Sequence, residues 1–381
     1  MDRQMSVPLP NPGIRFRQFL RFGLLWGKLF FGILLISCTR DTLPKEELPD
    51  LPMVTGEKIK GGSILQVWVL SFGGNIGTDI AERTNANWVA LCPLAGLERN
   101  NGGGIRPFNF PVSEETYKLK TAMEKTIASG VENIMVKPLT SFYLVRGDRF
   151  WGDFYLETEE DWLDMERAFS EYIMGFAALS AEFPQFRMLS IGNELREFAT
   201  RRPQFFRDLI TGIREAYPDL MLTYSANWDE YERITFWEDL DYIGVNSYFP
   251  LVETKTPTVE EVSNAFEPVK RQIEVVSRQS GRPVLFTEYG FRSIDYTVRR
   301  PWDHGDILTG VRVNLQAQAN AYTAFYNVFW DEPWVAGGFF WEWFTESDLD
   351  NPYYNSDSNG WYINGKPAEQ VVREQYSEGA D

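Results

Sequence analysis

The sequence predicts a single (β/α)8 barrel of the α/β class. Short apolar runs alternate eight times with longer, mostly amphipathic segments over roughly 320 residues, more repeats than an open doubly wound sheet usually needs. Links from helix to strand are short, as in Tyr217-Pro218-Asp219, whereas several links from strand to helix are long. The one glycine cluster, Asn101-Gly102-Gly103-Gly104, lacks the G-x-G-x-x-G spacing of a nucleotide-binding sheet.

The strands are expected at Ile64–Leu70, Trp88–Cys92, Ile134–Lys137, Met188–Ile191, Leu220–Tyr224, Tyr242–Val245, Val284–Thr287 and Val335–Phe340. Each is nearly continuous in apolar character, as parallel strands covered on both faces must be. Helical patterns run over Glu114–Ala128, Glu160–Ala181, Pro203–Ala216, Glu260–Arg278 and Asn314–Trp330. Thr258 and Glu261 stand at capping-box spacing before the fourth of these, and Pro367 suits the first turn of a last helix. Function belongs on the side of the long loops, about 138–158, 289–311 and 344–365, which are rich in Trp, Tyr, Phe, Arg and Asp.

Ahead of the barrel, Arg15, Arg17, Arg21 and Lys28 precede the apolar run Leu29–Ile36, and Ser37 leads to Cys38. A run of about eight residues is far short of the roughly 20 that span a bilayer, so residues 1–37 are expected to be a secretory signal. Leu35-Ile36-Ser37-Cys38 resembles a bacterial lipobox, which implies a lipid on Cys38 and an extracytoplasmic protein anchored to the bacterial membrane, on the periplasmic side or the cell surface. Losing that segment removes five basic groups and one acidic group, which takes the formal charge from -17 to -21. Residues 38–56 read as an acidic, proline-containing tether, 57–376 as the barrel and 377–381 as a short tail.

Composition excludes several kinds of function. With 44% hydrophobic and 15% aromatic residues the chain is neither disordered nor fibrous. Thirty-seven basic against fifty-four acidic residues give no clustered basic surface for a phosphate backbone, so nucleic acid is not an expected partner. One histidine (His304) and two cysteines (Cys38, Cys92) cannot build a usual zinc, haem or iron–sulfur site, so no metal or cofactor is expected. Asn355–Gly360 mimics the start of a calcium loop, but its twelfth position would be Lys366 rather than a bidentate Glu.

Two glutamates stand directly after expected strands: Glu194 in Ile191-Gly192-Asn193-Glu194, and Glu288 in Phe286-Thr287-Glu288-Tyr289-Gly290. They end the fourth and seventh strands, which lie nearly opposite across a barrel mouth. Cleaving an acetal needs such a pair. One carboxyl protonates the leaving oxygen while the other captures the oxocarbenium-like carbon, at a separation of roughly 5–5.5 Å for retention. The acid needs a raised pKa and the nucleophile a polar seat, so their surroundings should differ.

These residues resemble the retaining glycoside hydrolases of clan A, and within it glycoside hydrolase family 113, whose characterised members are β-mannanases. The matching pieces are Ile191–Glu194, Tyr224–Trp228, Tyr242–Tyr248, Phe286–Gly290, Phe340–Glu342 and Asn364–Ala368, in order over most of residues 60–375. The resemblance implies hydrolysis of a β-linked neutral polysaccharide or oligosaccharide, foremost β-1,4-mannan, with Glu194 as acid/base and Glu288 as nucleophile. It further implies that Asn193 binds the sugar 2-hydroxyl, that Tyr248 orients the nucleophile and that Trp341 stacks beneath the sugar. Trp228 belongs with Trp151, Trp302, Tyr353, Tyr354 and Trp361 among loop aromatics, about half of which should touch substrate. Family members often carry a histidine shortly after the lysine on strand three, where this chain has Lys137-Pro138-Leu139.

Other readings stay open at this level. Another β-glycan could be the substrate, or the barrel could be an inactive surface glycan-binding protein, although binding alone does not need two opposed glutamates. Trp341 and Trp343 could fill the barrel, Glu342 faces the other side of its strand and reads as structural, and His304 sits in a long polar loop.

Overall fold

The computed structural model describes residues 49–65, 67, 79–99, 105–108, 112–142, 150–303, 312–344 and 359–377. The signal segment, Cys38, His304, Tyr353 and Tyr354 lie outside them. No helix among the described residues is long and apolar enough to cross a membrane.

Eight strands close into a parallel barrel in the order β1 (Ile59–Ile64), β2 (Trp88–Leu91), β5 (Asn133–Val136), β7 (Phe186–Asn193), β8 (Met221–Asn227), β9 (Tyr242–Asn246), β10 (Val284–Tyr289) and β11 (Val335–Phe340). Around them lie α1 (Ile80–Thr84), α2 (Val112–Ala128), α3 (Glu159–Ala177), α4 (Arg196–Arg201), α5 (Pro203–Ala216), α6 (Val259–Ser280), α7 (Leu315–Phe329) and α8 (Pro367–Ser377). Local chemistry explains the helix starts. Thr158 accepts from the Asp161 amide, the Thr258–Glu261 capping box is formed, Asn314 accepts from the Ala317 amide, and Pro203 opens α5. Between β8 and β9 only two short 3-10 turns intervene, Tyr231–Arg233 and Trp237–Asp239.

The first strand differs from expectation: β1 ends at Ile64, where the apolar run begins, and Val67 is already helical. Its middle, Lys60-Gly61-Gly62-Ser63, has no apolar signal because the neighbouring strand supplies the bulk. A Cβ at Gly61 would fall 2.2 Å from the Phe339 ring, and one at Gly62 2.4 Å from the Phe340 ring. Alternation then sorts the strands into two cores. Trp88, Ala90, Cys92, Met135, Met188, Leu285 and Phe339 fill the barrel interior, while Val89, Leu91, Val136, Leu189 and Phe286 pack outward against the helices.

Periodicity also missed a three-stranded sheet, β4 (Ile105–Phe108), β3 (Leu94–Arg99) and β6 (Leu139–Phe142). It is made from barrel strands that run on. Leu91 pairs with Val136 and Leu94 with Leu139, a constant offset, and backbone bonds Lys137 N to Leu91 O (2.9 Å) and Leu139 N to Pro93 O (2.8 Å) carry the ladder across the junction. Pro138 removes the donor that would continue pairing toward β7, and β4 joins the extended pair on its other edge, against β3.

Candidate active site

The C-terminal ends of the strands surround a cavity of about 500 Å³, lined by all six substrate or catalytic candidates: Asn193, Glu194, Trp228, Tyr248, Glu288 and Trp341. Simple alternation would not put Glu288 there, because Leu285 faces the interior three residues earlier. The pairing register of β10 shifts against β9 between Leu285 and Glu288, and that of β7 shifts against β8 between Ser190 and Asn193. These irregularities re-aim the strand ends, a common use of an extra residue beside a site.

The two carboxyl groups sit in unlike surroundings. Glu288 is ion-paired with Lys137, a lysine with 0% of its side chain exposed, and accepts from the Tyr248 hydroxyl at 2.6 Å. The Lys137 ammonium also donates to the Thr287 carbonyl at 3.3 Å and lies 4.9 Å from the centre of the Trp341 ring. Cation and phenol together give the Glu288 carboxyl a polar, hydrogen-bonded seat. Glu194 forms no ion pair among the described residues and accepts one neutral bond, from Asn246 Nδ2 at 2.8 Å. Burial, and next the charge of Glu288, push the Glu194 carboxyl well above the ordinary carboxylate range, partly offset by that amide bond. The pair thus sets a carboxyl pushed toward its neutral form beside one held by a buried cation and a phenol.

Asn246, at the end of β9, ties the two strands together. Its Nδ2 also donates to Asn193 Oδ1 at 3.1 Å, and its Oδ1 accepts from the Thr287 hydroxyl at 2.8 Å, one residue before Glu288. Neither Asn246 nor Lys137 stood out as a candidate in the sequence, yet each occupies the same kind of position as the glutamates, a polar residue at or just past a barrel strand end. Aromatic walls flank the pair. Trp228 stacks on Trp302 (5.0 Å, 21°), and Trp151 and Trp361 also line the cavity, while Trp343 is fully buried under the Arg83 guanidinium, 4.9 Å from its ring. Arg196 fastens one wall to the other: Nε and Nη2 bind Asp153 at 2.8 and 2.7 Å, and Nη1 binds Asp229.

A parallel eight-stranded barrel that seats two unlike glutamates in one aromatic cavity has the architecture of a glycoside hydrolase, and that is the class to which the chain belongs. The chain belongs to Glycoside Hydrolase Family 113, whose sequence profile matches residues 78–366. Among solved structures it is similar to the GH113 β-mannanase AaManA from Alicyclobacillus acidocaldarius in complex with ManMIm, at 24% identity and a TM-score of 0.65, over 84% of this chain and 98% of that one. It is similar also to a GH113 β-1,4-mannanase at 20% identity and a TM-score of 0.63, over 85% of this chain and 100% of that one. A family 5 mannosidase from Rhizomucor miehei shares the fold at 12% identity and a TM-score of 0.56, over 84% and 92% of the two chains. No curated protein matches the chain by sequence.

Proposed function

We propose that the chain is a retaining glycosidase for β-linked neutral glycans, foremost β-1,4-mannan. The observation that carries this reading is the difference in seating between Glu194 and Glu288 on one cavity. In the first step the ionised Glu288 attacks the anomeric carbon as the glycosidic C–O bond breaks, and the Glu194 proton passes to the leaving oxygen. In the second, Glu194 takes a proton from water, whose oxygen displaces Glu288 from the same carbon. Lys137 and Tyr248 hold the nucleophile, Asn193 meets the 2-hydroxyl, Trp341 carries the sugar being cleaved, and Trp228 offers a platform for a neighbouring unit. Mannan as substrate is supported by family membership and by the mannanases among the similar structures.

The test is kinetic. Glu288→Ala should lose turnover and regain it with azide, giving the α-glycosyl azide. Glu194→Gln should lose the polymer while keeping much of its rate of glycosyl-enzyme formation on activated aryl glycosides. Near-normal turnover of either variant on mannan contradicts the roles. Products from a panel of mannans and glucans, read by proton NMR before mutarotation, test sugar and stereochemistry together. The reading extends to location. Lipid on Cys38 and a tether to residue 56 would hold the barrel outside the cytoplasm, supported by the basic start and the Leu35–Cys38 sequence. Palmitate labelling that persists in Cys38→Ala would refute it.

A further inference from the structure

We propose that Glu230 is a positioning residue for the Glu194 carboxyl, acting through the Tyr224 hydroxyl; this rests on the reading of Glu194 as the acid/base. Glu230 is completely buried, and both its oxygens are engaged. Oε1 accepts from the Tyr224 hydroxyl at 2.5 Å and Oε2 from the Asn227 amide at 3.0 Å. The same hydroxyl accepts from the backbone N–H of Leu195 at 2.8 Å, directly after Glu194. A phenol has one proton, and giving it to Glu230 fixes which lone pair faces Leu195.

That restraint falls where the backbone needs it. Glu194 has φ 55°, in the left-handed region that a glutamate occupies only when its surroundings impose it. The Glu194 amide donates to the Ser225 carbonyl at 2.8 Å, so the turn is held at one residue by β8 backbone and at the next by the phenol that Glu230 orients. A neutral amide has a single acceptor oxygen and would meet only one of these two bonds, whereas a carboxyl accepts both. The carboxyl adds a charge.

Burial pushes the Glu230 carboxyl up to about 7, against the pull of its bonds to Tyr224 and Asn227. Its charge adds to that of Glu288 in raising Glu194. The ionisable groups facing Glu230 are Glu194 beyond β7, Tyr224 on β8, Arg196 at the start of α4 and Asp229 on its own loop; those facing Glu194 are Glu288, Glu230 and Lys137. Arg196 is ion-paired to Asp153 and Asp229.

The experiment compares a mannooligosaccharide with its dinitrophenyl glycoside, whose leaving group departs without a proton. Glu230→Gln keeps the shape, removes the charge and gives up the Asn227 bond, while Tyr224→Phe keeps the Glu230 carboxyl and removes the acceptor for Leu195. In Glu230→Gln the alkaline limb of kcat/KM for the oligosaccharide should move to lower pH by roughly 0.5–1 unit. Tyr224→Phe should lose roughly 10-fold or more on the oligosaccharide and less than about 3-fold on the activated glycoside. A limb that stays in place overturns the proposal, as do equal losses on both substrates in Tyr224→Phe. If wild type cleaves a different β-glycan, the substrate pair is built on that sugar. Wild type inactive on every glycan overturns the catalytic reading and this proposal with it, whereas an unmoved limb in an active enzyme overturns the proposal alone.

Discussion

A Cβ added at Gly152 would lie 2.1 Å from the carbonyl oxygen of Glu194. The turn that carries Trp151 therefore rests on the backbone of the Glu194 turn, and the Arg196–Asp153 bonds hold it there. Gly152→Ala must displace one of the two. We expect a destabilisation of about 1–3 kcal/mol and a fall in kcat/KM of roughly 10-fold or more, read by thermal melting and by kinetics on mannooligosaccharides. Wild-type values in both would contradict the contact.

Lys137→Met leaves Glu288 buried without its cation. The expected loss in kcat is about 10²- to 10³-fold, similar for activated and natural substrates because both need the nucleophile. Tyr248→Phe removes one hydrogen bond and leaves the ion pair, so its loss should be smaller, about 10- to 100-fold. A Lys137 variant less impaired than Tyr248→Phe would reverse this ranking.

Glu194 should weaken the fold at neutral pH. Its folded carboxyl is raised by burial and by Glu288, so between the unfolded value of about 4.3 and the raised one the folded chain keeps a proton that the unfolded chain has lost. Stability then falls as pH rises through that window. Glu194→Gln removes the effect, and its Tm should exceed that of wild type by about 2–4 °C at pH ~8, with the gap closing near pH ~4. A gap that does not change with pH would show that the carboxyl is not raised.

At the far end of the chain, the Tyr376 hydroxyl meets Tyr289 at 2.6 Å and the Gly61 carbonyl at 2.9 Å, joining α8 to β10 and β1. Tyr376→Phe should cost about 1–2 kcal/mol in denaturant unfolding and leave kcat unchanged, since none of these atoms borders the cavity. A variant as stable as wild type would show that the bond adds nothing net.

What could be read before any coordinates follows from how residues announce themselves. Glu194 and Glu288 were visible because each interrupts an apolar run where a barrel strand must end, and α5 and α6 because Pro203 and the Thr258–Glu261 box mark their starts. The apolar run at Ile64–Leu70 points past β1 because Gly61 and Gly62 are shaped by Phe339 and Phe340, more than 270 residues later. The entrance sheet was hidden by Pro93 and Pro138, which read as loop although the strand pair continues past them. Lys137 and Asn246 gain their importance from partners on other strands, which no local period encodes, and Glu230 from a bend that folds it back on Tyr224 and Asn227 of its own strand end.

The unbroken ladder from β2–β5 into β3–β6 bears on how a glycan is received. Leu94, Leu139 and Thr140 form part of the cavity wall on strands continuous with the barrel itself, rather than on a hinged flap. That side of the entrance is stiff before any sugar arrives, so little ordering remains to oppose binding there. Adapting the same scaffold to a different chain of sugars would then proceed by exchanging side chains along this rigid rim, with the barrel beneath left to fold as before.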